Sequence, residues 1–219
     1  MSTERAFVFA DLAGYTALTE AHGDHDAAHI AMRFHELALG ALHGDARIVK
    51  TIGDAVMLVS ATPVDAIDSS LALAREVAAS CTFPAVRIGI HVGSAVERDG
   101  DYFGGAVNIA ARVSCMARGG EIVCTEAIAE AAVAHRRAAA RPMGTFRLKN
   151  VAIPVALYEL ASTTDKKREL AHIDPVCRMQ VIPEQAAART VHDGVTFYFC
   201  SAHCAATFDA APESHLPTP

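Results

Sequence analysis

Two acidic residues stand where apolar runs give way to turns. Asp11 closes "AFVFADL" (6–12), and Asp54 sits at the bend of "ARIVKTIGDAVMLVSA" (46–61). Carboxylate oxygens are hard ligands that suit Mg²⁺ or Mn²⁺, ions that take few protein carboxylates and fill the remaining positions with substrate oxygens and water. After Asp11, the turn through Gly14, Tyr15 and Thr16 leads into a helical pattern whose free N–H groups suit a phosphate. The same residues have plainer uses, since a strand-end Asp caps helices and Gly-Asp is ordinary hairpin chemistry. Lys50 is a lone cation in the greasy arm that leads to Asp54. In "DYFGGAVNIAAR" (101–112), Asn108 and Arg112 are four apart and share one helical face among apolar neighbours. They are either a working polar pair or the solvated fringe of an amphipathic helix.

A second group lies near the C-terminus. Cys177, Cys200 and Cys204 crowd the last fifth of the chain, while Cys81, Cys115 and Cys124 are scattered in apolar settings. Cys200 and Cys204, at C-x3-C spacing, can converge on one ion, and Cys177 can complete a three-thiolate set. Soft thiolates suit Zn²⁺, Cu⁺ or a similar metal. No fourth ligand is evident; His203 and His192 are candidates. The competing reading packs these cysteines as small hydrophobes beside Phe197, Phe199 and Phe208. His22, His25, His29, His35 and His43 are spread along or beside the first helical region; His22, His25 and His29 could line one side as metal ligands, but the preferred reading is a solvated helix face.

These residues must be held by the elements around them. "AFVFADL" is a strand with Phe7, Phe9 and Asp11 on one face. A helix from Ala17 to about Leu42, broken at "HGDHD", precedes the 46–61 hairpin. "TPVDAIDSSLALAREVAAS" has Pro63 near a helix start. "AVRIGIHVGSAVE" is a strand or strand pair, "DGDYFGG" a loop and "AVNIAARVSCMA" a helix. "EIVCT" and "EAIAEAAVAH" give a further strand and helix. "GTFRLKNVAIPVALYEL" reads as closing strands interrupted at Pro154. The alternation predicts an α+β sandwich of the ferredoxin-like βαββαβ kind, followed by a small cysteine-containing module. The expected boundaries are 1–161 for the large domain, 162–172 for a polar linker or exposed helix, and 173–219 for the module.

Composition sets outer bounds. The chain is 219 residues long and 52% hydrophobic, ample for a core. Its net charge of −6 argues against a nucleic-acid partner, which calls for a basic surplus. No charged start precedes an apolar run, and no run approaches the ~18–20 apolar residues of a span. The expectation is a cytoplasmic protein with no membrane partner and no disulfides.

Taken together, "FADLAGYT", "KTIGDAV" and "DYFGGAVNIAAR" resemble the catalytic domain of class III nucleotidyl cyclases, over roughly residues 4 to 160. The resemblance implies roles for single residues. Asp11 and Asp54 would hold two Mg²⁺ or Mn²⁺ ions per site, with the Leu12 carbonyl as a backbone ligand. Lys50 and Asp101 would read adenine, Asn108 and Arg112 would act on the transition state, and Lys149 would meet the terminal phosphates. A donor-only Lys with an acceptor-only Asp complements the adenine edge, which favours ATP over GTP. The family shares its sites between two subunits, which implies a homodimer and places Lys50 and Asp54 of one chain in different sites. "DPVCRM" with "FYFCSAHCAATF" resembles the YHS domain, over about residues 173–212, a module linked to heavy-metal handling. The function so implied is an adenylyl cyclase making cyclic AMP and pyrophosphate, with a metal-binding module that regulates it. The rivals are a guanylyl cyclase and a non-catalytic metal-binding protein that uses the large domain as a dimerisation scaffold.

Overall fold

The computed structural model describes residues 2–80, 83–161 and 172–216. Strand β1 (Ser2–Leu12) is central to an eight-stranded sheet. It pairs antiparallel with β3 (Ala55–Ser60) on one side and with β4 (Val86–Arg98) on the other. Beyond β3 lies β2 (Arg47–Ile52). The order β4-β1-β3-β2, with helix α1 (Tyr15–Gly40) between the first two strands in sequence and α2 (Pro63–Ala79) before β4, is the expected βαββαβ unit. Strand β6 (Ile122–Thr125) extends it parallel to β4, and β8 (Val155–Ala161) and β7 (Ala139–Phe146) complete the row.

Alternation along β1 divides the core. Ala6, Val8, Ala10 and Leu12 face Phe34 of α1, Ile67 and Leu73 of α2, and Ile128 of α4 (Glu126–Ala134). Phe7 points to the other face, where Met57, Val59 and Tyr102 meet Ala106 and Ala110 of α3 (Gly105–Ser114). Each fully buried Phe or Leu here contributes about 1.5–3 kcal/mol. Helix α2 starts where Thr62 accepts from the Asp65 N–H at 3.1 Å and donates to its carboxylate at 2.8 Å, with Pro63 at the first helical position.

The closest contact between α3 and the sheet is at Gly89. A Cβ at Gly89 would fall 2.1 Å from the Ser114 amide nitrogen and 2.5 Å from its Cα. The helix backbone therefore rests on the strand, and no larger residue allows it.

Local details differ from expectation. "AVRIGIHVGSAVE", apart from its first residue Ala85, lies within one unbroken strand of 13 residues. "DGDYFGG", read as a loop, contains β5 (Asp101–Phe103), which folds back on β4 through Asp99 and Gly100. Both have positive φ, 54° and 80°, as a two-residue hairpin turn requires. Three residues were too few to show period-two patterning. Pro154 precedes β8 rather than interrupting a strand. Helix α1 begins at Tyr15 and breaks at Gly23, inside the anticipated "HGDHD".

The C-terminal unit consists of β9 (His172–Ile173) paired with β10 (Gln180–Val181), the hairpin of β11 (Ala188–His192) and β12 (Val195–Phe199), and α5 (Ala202–Ala210). Val176, Cys177, Phe199, Cys204, Ala205 and Phe208 form its core. It is not a free appendage. Met179 bridges to Pro84, the Gln180 N–H donates to the Phe83 carbonyl at 3.0 Å, and Ala21 of α1 packs against the small core. The expected linker lies outside the described residues except for His172, which begins β9.

Candidate active site and thiolate cluster

Antiparallel pairing of β1 with β3 sets Asp11 opposite Ala55, next to Asp54 at the β2–β3 turn. The two carboxylates thus meet at one end of the sheet. Burial raises both above their ordinary value. For Asp11 the rise is opposed by Arg87 and reinforced by the charge of Asp54. For Asp54 it is opposed by the backbone N–H groups of Asp54 itself and of Leu12. Arg87 lies directly across the β1–β4 ladder from Asp11, and its Nε donates to an Asp11 oxygen. Arg87 was not singled out from sequence, because only strand register brings it to Asp11.

Beside this pair, Gly14 caps α1 in the left-handed region at φ 80°. No side chain caps the helix there, and its first turn contains no acidic residue. N–H groups left this way suit an anion. Tyr15 is half-buried against the main core, and Thr16 is exposed. At the hairpin turn, the Gly53 carbonyl accepts from His35 Nε2 at 3.0 Å, which ties the Asp54 bend to α1.

Lys50 points to a different partner. Its Nζ is 2.8 Å and 2.6 Å from the two Asp101 oxygens, although the residues lie 51 apart in sequence. This pair holds the Asp101 carboxyl below its usual range, helped by the Tyr102 N–H. A brace supports it: Arg47 donates to Glu97 and to the Tyr102 hydroxyl, each at 3.1 Å, and that hydroxyl donates to Glu97 at 2.9 Å. One turn along the chain, Asn108 is exposed on α3 and Arg112 is half-buried. Lys149 is exposed in the turn between β7 and β8.

The structure thus brings Asp11, Leu12 and Asp54 together, and separately joins Lys50 to Asp101. Two half-buried carboxylates with one arginine beside them suit a divalent cation. Both groups are oxygen donors, and burial disfavours the negative charge on each, which a bound cation would offset.

The cysteine group gathers as well, with one unforeseen member. Cys177 Sγ is 3.3 Å from Cys200 Sγ, and Cys200 Sγ is 3.7 Å from Cys204 Sγ. The fourth side chain is His22, from α1 of the large domain, whose Nε2 lies 3.6 Å from Cys200 Sγ and 3.7 Å from Cys204 Sγ. His22 does not lie on the solvated face expected for it, whereas His25 and His29 do. His203 is exposed, and His192 groups with Asp193 and Glu213 instead. Neither serves the thiolates. Hydrogen bonds from Cys177 and Cys200 hold the Cys204 thiol low, and those with Cys200 and Cys204 push the Cys177 thiol up. The Cys204 N–H donates to the Ser201 hydroxyl at the start of α5.

Fully buried Asp174 organises this cluster. Its carboxylate accepts from the N–H groups of Val176 at 2.9 Å, Cys177 at 3.3 Å and Cys200 at 2.8 Å. Sequence reasoning passed over it, although Asp-Pro at the start of "DPVC" is a turn-forming signal.

Comparison with known proteins agrees with both halves. Residues 2–150 match the adenylate and guanylate cyclase catalytic domain family, and residues 172–218 match the YHS domain. A pH-sensitive adenylate cyclase of Mycobacterium tuberculosis, MT1302, is 41% identical over 56% of this chain and 31% of its own length. An adenylate cyclase of Glutamicibacter nicotianae is 38% identical over 57% of this chain and 31% of its own. The chain thus matches about a third of the length of these relatives. Among solved structures, the adenylyl cyclase CyaB of P. aeruginosa superposes with a TM-score of 0.62, at 21% identity over 74% of this chain and 96% of its own. An adenylate/guanylate cyclase/hydrolase of Silicibacter pomeroyi gives 0.65, at 24% identity over 74% and 98%. Both show the fold. Among the described residues, no helix is long and apolar enough to cross a membrane.

Proposed function

The chain belongs to the adenylate and guanylate cyclase catalytic domain family, followed by a YHS domain, and from that premise we propose that it is an adenylyl cyclase. The observation that carries ATP rather than GTP is the Lys50–Asp101 pair, a donor and an acceptor held 2.6–2.8 Å apart. Opened onto a base, the Lys donates to a ring nitrogen and the Asp accepts from the exocyclic amino group of adenine; guanine presents part of that pattern reversed.

In the reaction the ribose 3′ oxygen attacks the α-phosphorus. The new O–P bond forms as the bond to the β-phosphate oxygen breaks, pyrophosphate leaves and the 3′ proton passes to solvent water. Asp11 and Asp54, with the Leu12 carbonyl, would hold two Mg²⁺ or Mn²⁺ ions. When bound, these supply Lewis-acid activation of the attacking oxygen and neutralisation of the leaving group. The uncapped N–H groups after Gly14, with Tyr15 and Thr16, cradle phosphate oxygens. Lys149 meets the terminal phosphates. Arg112 compensates charge growing on the phosphoryl oxygens, and Asn108 orients the ribose. Arg87 favours the ionised form of Asp11 against the effect of burial.

Lys50 engages Asp101 while Asp54 turns towards Asp11 and Leu12, so neighbours in one hairpin serve separate groups. This supports a two-fold homodimer in which one subunit offers the carboxylates and the other offers Lys50, Asp101, Asn108 and Arg112. Incubation with ATP or GTP and Mn²⁺ or Mg²⁺, with the cyclic product measured, tests the reading. Asp54→Ala abolishes turnover. Equal mixing of Asp11→Ala and Arg112→Ala chains restores about a quarter of the sites, since half the dimers are mixed and each mixed dimer has one intact site. Absence of cyclic AMP with either metal refutes the enzyme, and failure of the mixture to recover refutes the shared site.

A further inference from the structure

We propose that His22 of the cyclase domain is the fourth ligand of a zinc-class metal ion held by Cys177, Cys200 and Cys204, so that the ion staples the YHS domain onto the cyclase domain. The geometry is that of a tetrahedral site. With bonds of ~2.3 Å to sulfur and ~2.0–2.1 Å to nitrogen, such an ion sets S···S edges at about 3.8 Å and S···N edges at about 3.6 Å. The observed edges are 3.3 Å and 3.7 Å between sulfurs, and 3.6 Å and 3.7 Å from His22 Nε2 to Cys200 and Cys204. All four ligand atoms lie within 4.8 Å of one another. The sulfurs are too far apart for a disulfide bond of ~2.05 Å, and all three cysteines are free. Cys177 and Cys204 are buried, and Cys200 and His22 are half-buried, so the centre is closed on the side of both domains.

Local structure around each ligand is built for this. Asp174 anchors the N–H groups of Cys177 and Cys200 with one carboxylate, fixing two sulfur-bearing loops to each other. Ser201 caps α5 so that Cys204 sits in its first turn. On the other domain, the first segment of α1 ends just past His22, because Gly23 leaves the helix at φ 83°, ψ 165°. Helix α1 thereby delivers His22 to the thiolates and turns away. The residue after Cys177, Arg178, packs its Cβ and Cγ against Gly14, at the turn that opens α1. A metal here clamps both ends of the Gly14–His22 segment, its start through Arg178 and its end through His22. Three thiolates and one imidazole give a full, closed coordination set, the mark of a structural rather than a catalytic ion.

Co²⁺ replaces Zn²⁺ in such sites and reports ligand type in its visible spectrum, so the test uses the full chain, stripped of metal and titrated with Co²⁺ alone. The wild type takes up one Co²⁺ per chain with tetrahedral d–d bands and thiolate charge transfer, and Zn²⁺ displaces it. His22→Ala weakens Co²⁺ binding by about tenfold or more and shifts the d–d bands, while His25→Ala, an exposed neighbour, changes neither. His22→Cys restores tight binding with stronger thiolate charge transfer, which distinguishes a lost ligand from a misfolded variant. Amide exchange at Gln180, whose N–H crosses to Phe83, speeds up on metal removal in the wild type. In His22→Ala it is fast with or without metal. A His22→Ala protein with wild-type bands and affinity overturns the proposal, as does a wild type that binds no Co²⁺ or that carries a Cys177–Cys200 disulfide. None of these readouts depends on cyclase activity, so the staple stands or falls separately from the enzymatic reading.

Discussion

Substituting Gly89→Ala tests how the cyclase domain holds α3. The added Cβ would lie 2.1 Å from the backbone nitrogen of Ser114, whereas ordinary contact begins near 3.4 Å, so the helix must retreat by more than an ångström. No side-chain rotation relieves this, because the obstacle is backbone. Overpacking of this kind costs about 1–3 kcal/mol. For a chain of this size that lowers Tm by roughly 2–4 °C per kcal/mol, so a fall of about 2–12 °C is expected. The larger effect falls on turnover. Asn108 and Arg112 travel with α3, and a displacement of about 1 Å in a positioned group can cost a hundredfold in rate. Thermal melting and cyclic AMP formation, measured side by side, read both consequences: a folded protein with kcat reduced about a hundredfold and with ATP protection of Tm retained, because Lys50 and Asp101 stay in place. A Gly89→Ala protein with wild-type Tm and wild-type kcat would refute the close seating of α3 on β4 as the device that positions its polar face.

Three further outcomes follow from the site. Arg87→Leu removes the cation facing Asp11; the metal-free protein should melt a few degrees lower, with much of the loss recovered on adding Mn²⁺, as calorimetry would show. Asp54 has a folded-state pKa above its ordinary 3.8, so its charge destabilises the metal-free fold once pH exceeds that value, and the penalty is complete above the raised pKa. Asp54→Asn should therefore raise the metal-free Tm at pH 7, lose the Tm increase that Mn²⁺ gives the wild type, and show no such gain at a pH below both values. Asp174→Ala leaves two buried N–H groups, of Val176 and Cys177, without an acceptor at about 1–3 kcal/mol each, and frees the half-buried Cys200 N–H, so the C-terminal domain should lose Co²⁺ binding and become protease-sensitive while residues 2–161 stay folded by hydrogen exchange.

The strand and helix order of the large domain was legible because its patterning is strong. Alternation in "AFVFADL" and the Thr62-Pro63 helix start are local signals, and the structure follows them. Motif spacing likewise led to the two carboxylates and to the Lys50–Asp101 partners. What escaped was set by register and tertiary contact. Arg87 is found only by knowing that β4 lies antiparallel to β1 with Asp11 opposite. β5 is too short to have a period. His22 stands 178 residues from Cys200, and nothing in either stretch announces the other. His192 and His203 lie in the same small module as the cysteines, but membership of one module does not govern how ligands meet across a domain boundary.

Gly14 is constrained in two independent ways. Its φ of 80° is a backbone demand, one that Asn also meets at moderate cost. Its contact with Arg178 is a demand for space, since any Cβ would come within 2.5 Å of that side chain. In a cyclase lacking a YHS domain only the first demand operates, and asparagine is an acceptable occupant of the position. In a chain that carries the docked domain both operate, and hydrogen alone fits. Glycine is thus the expected occupant of this position wherever the two domains touch, and an Asn there is the expected sign that they do not.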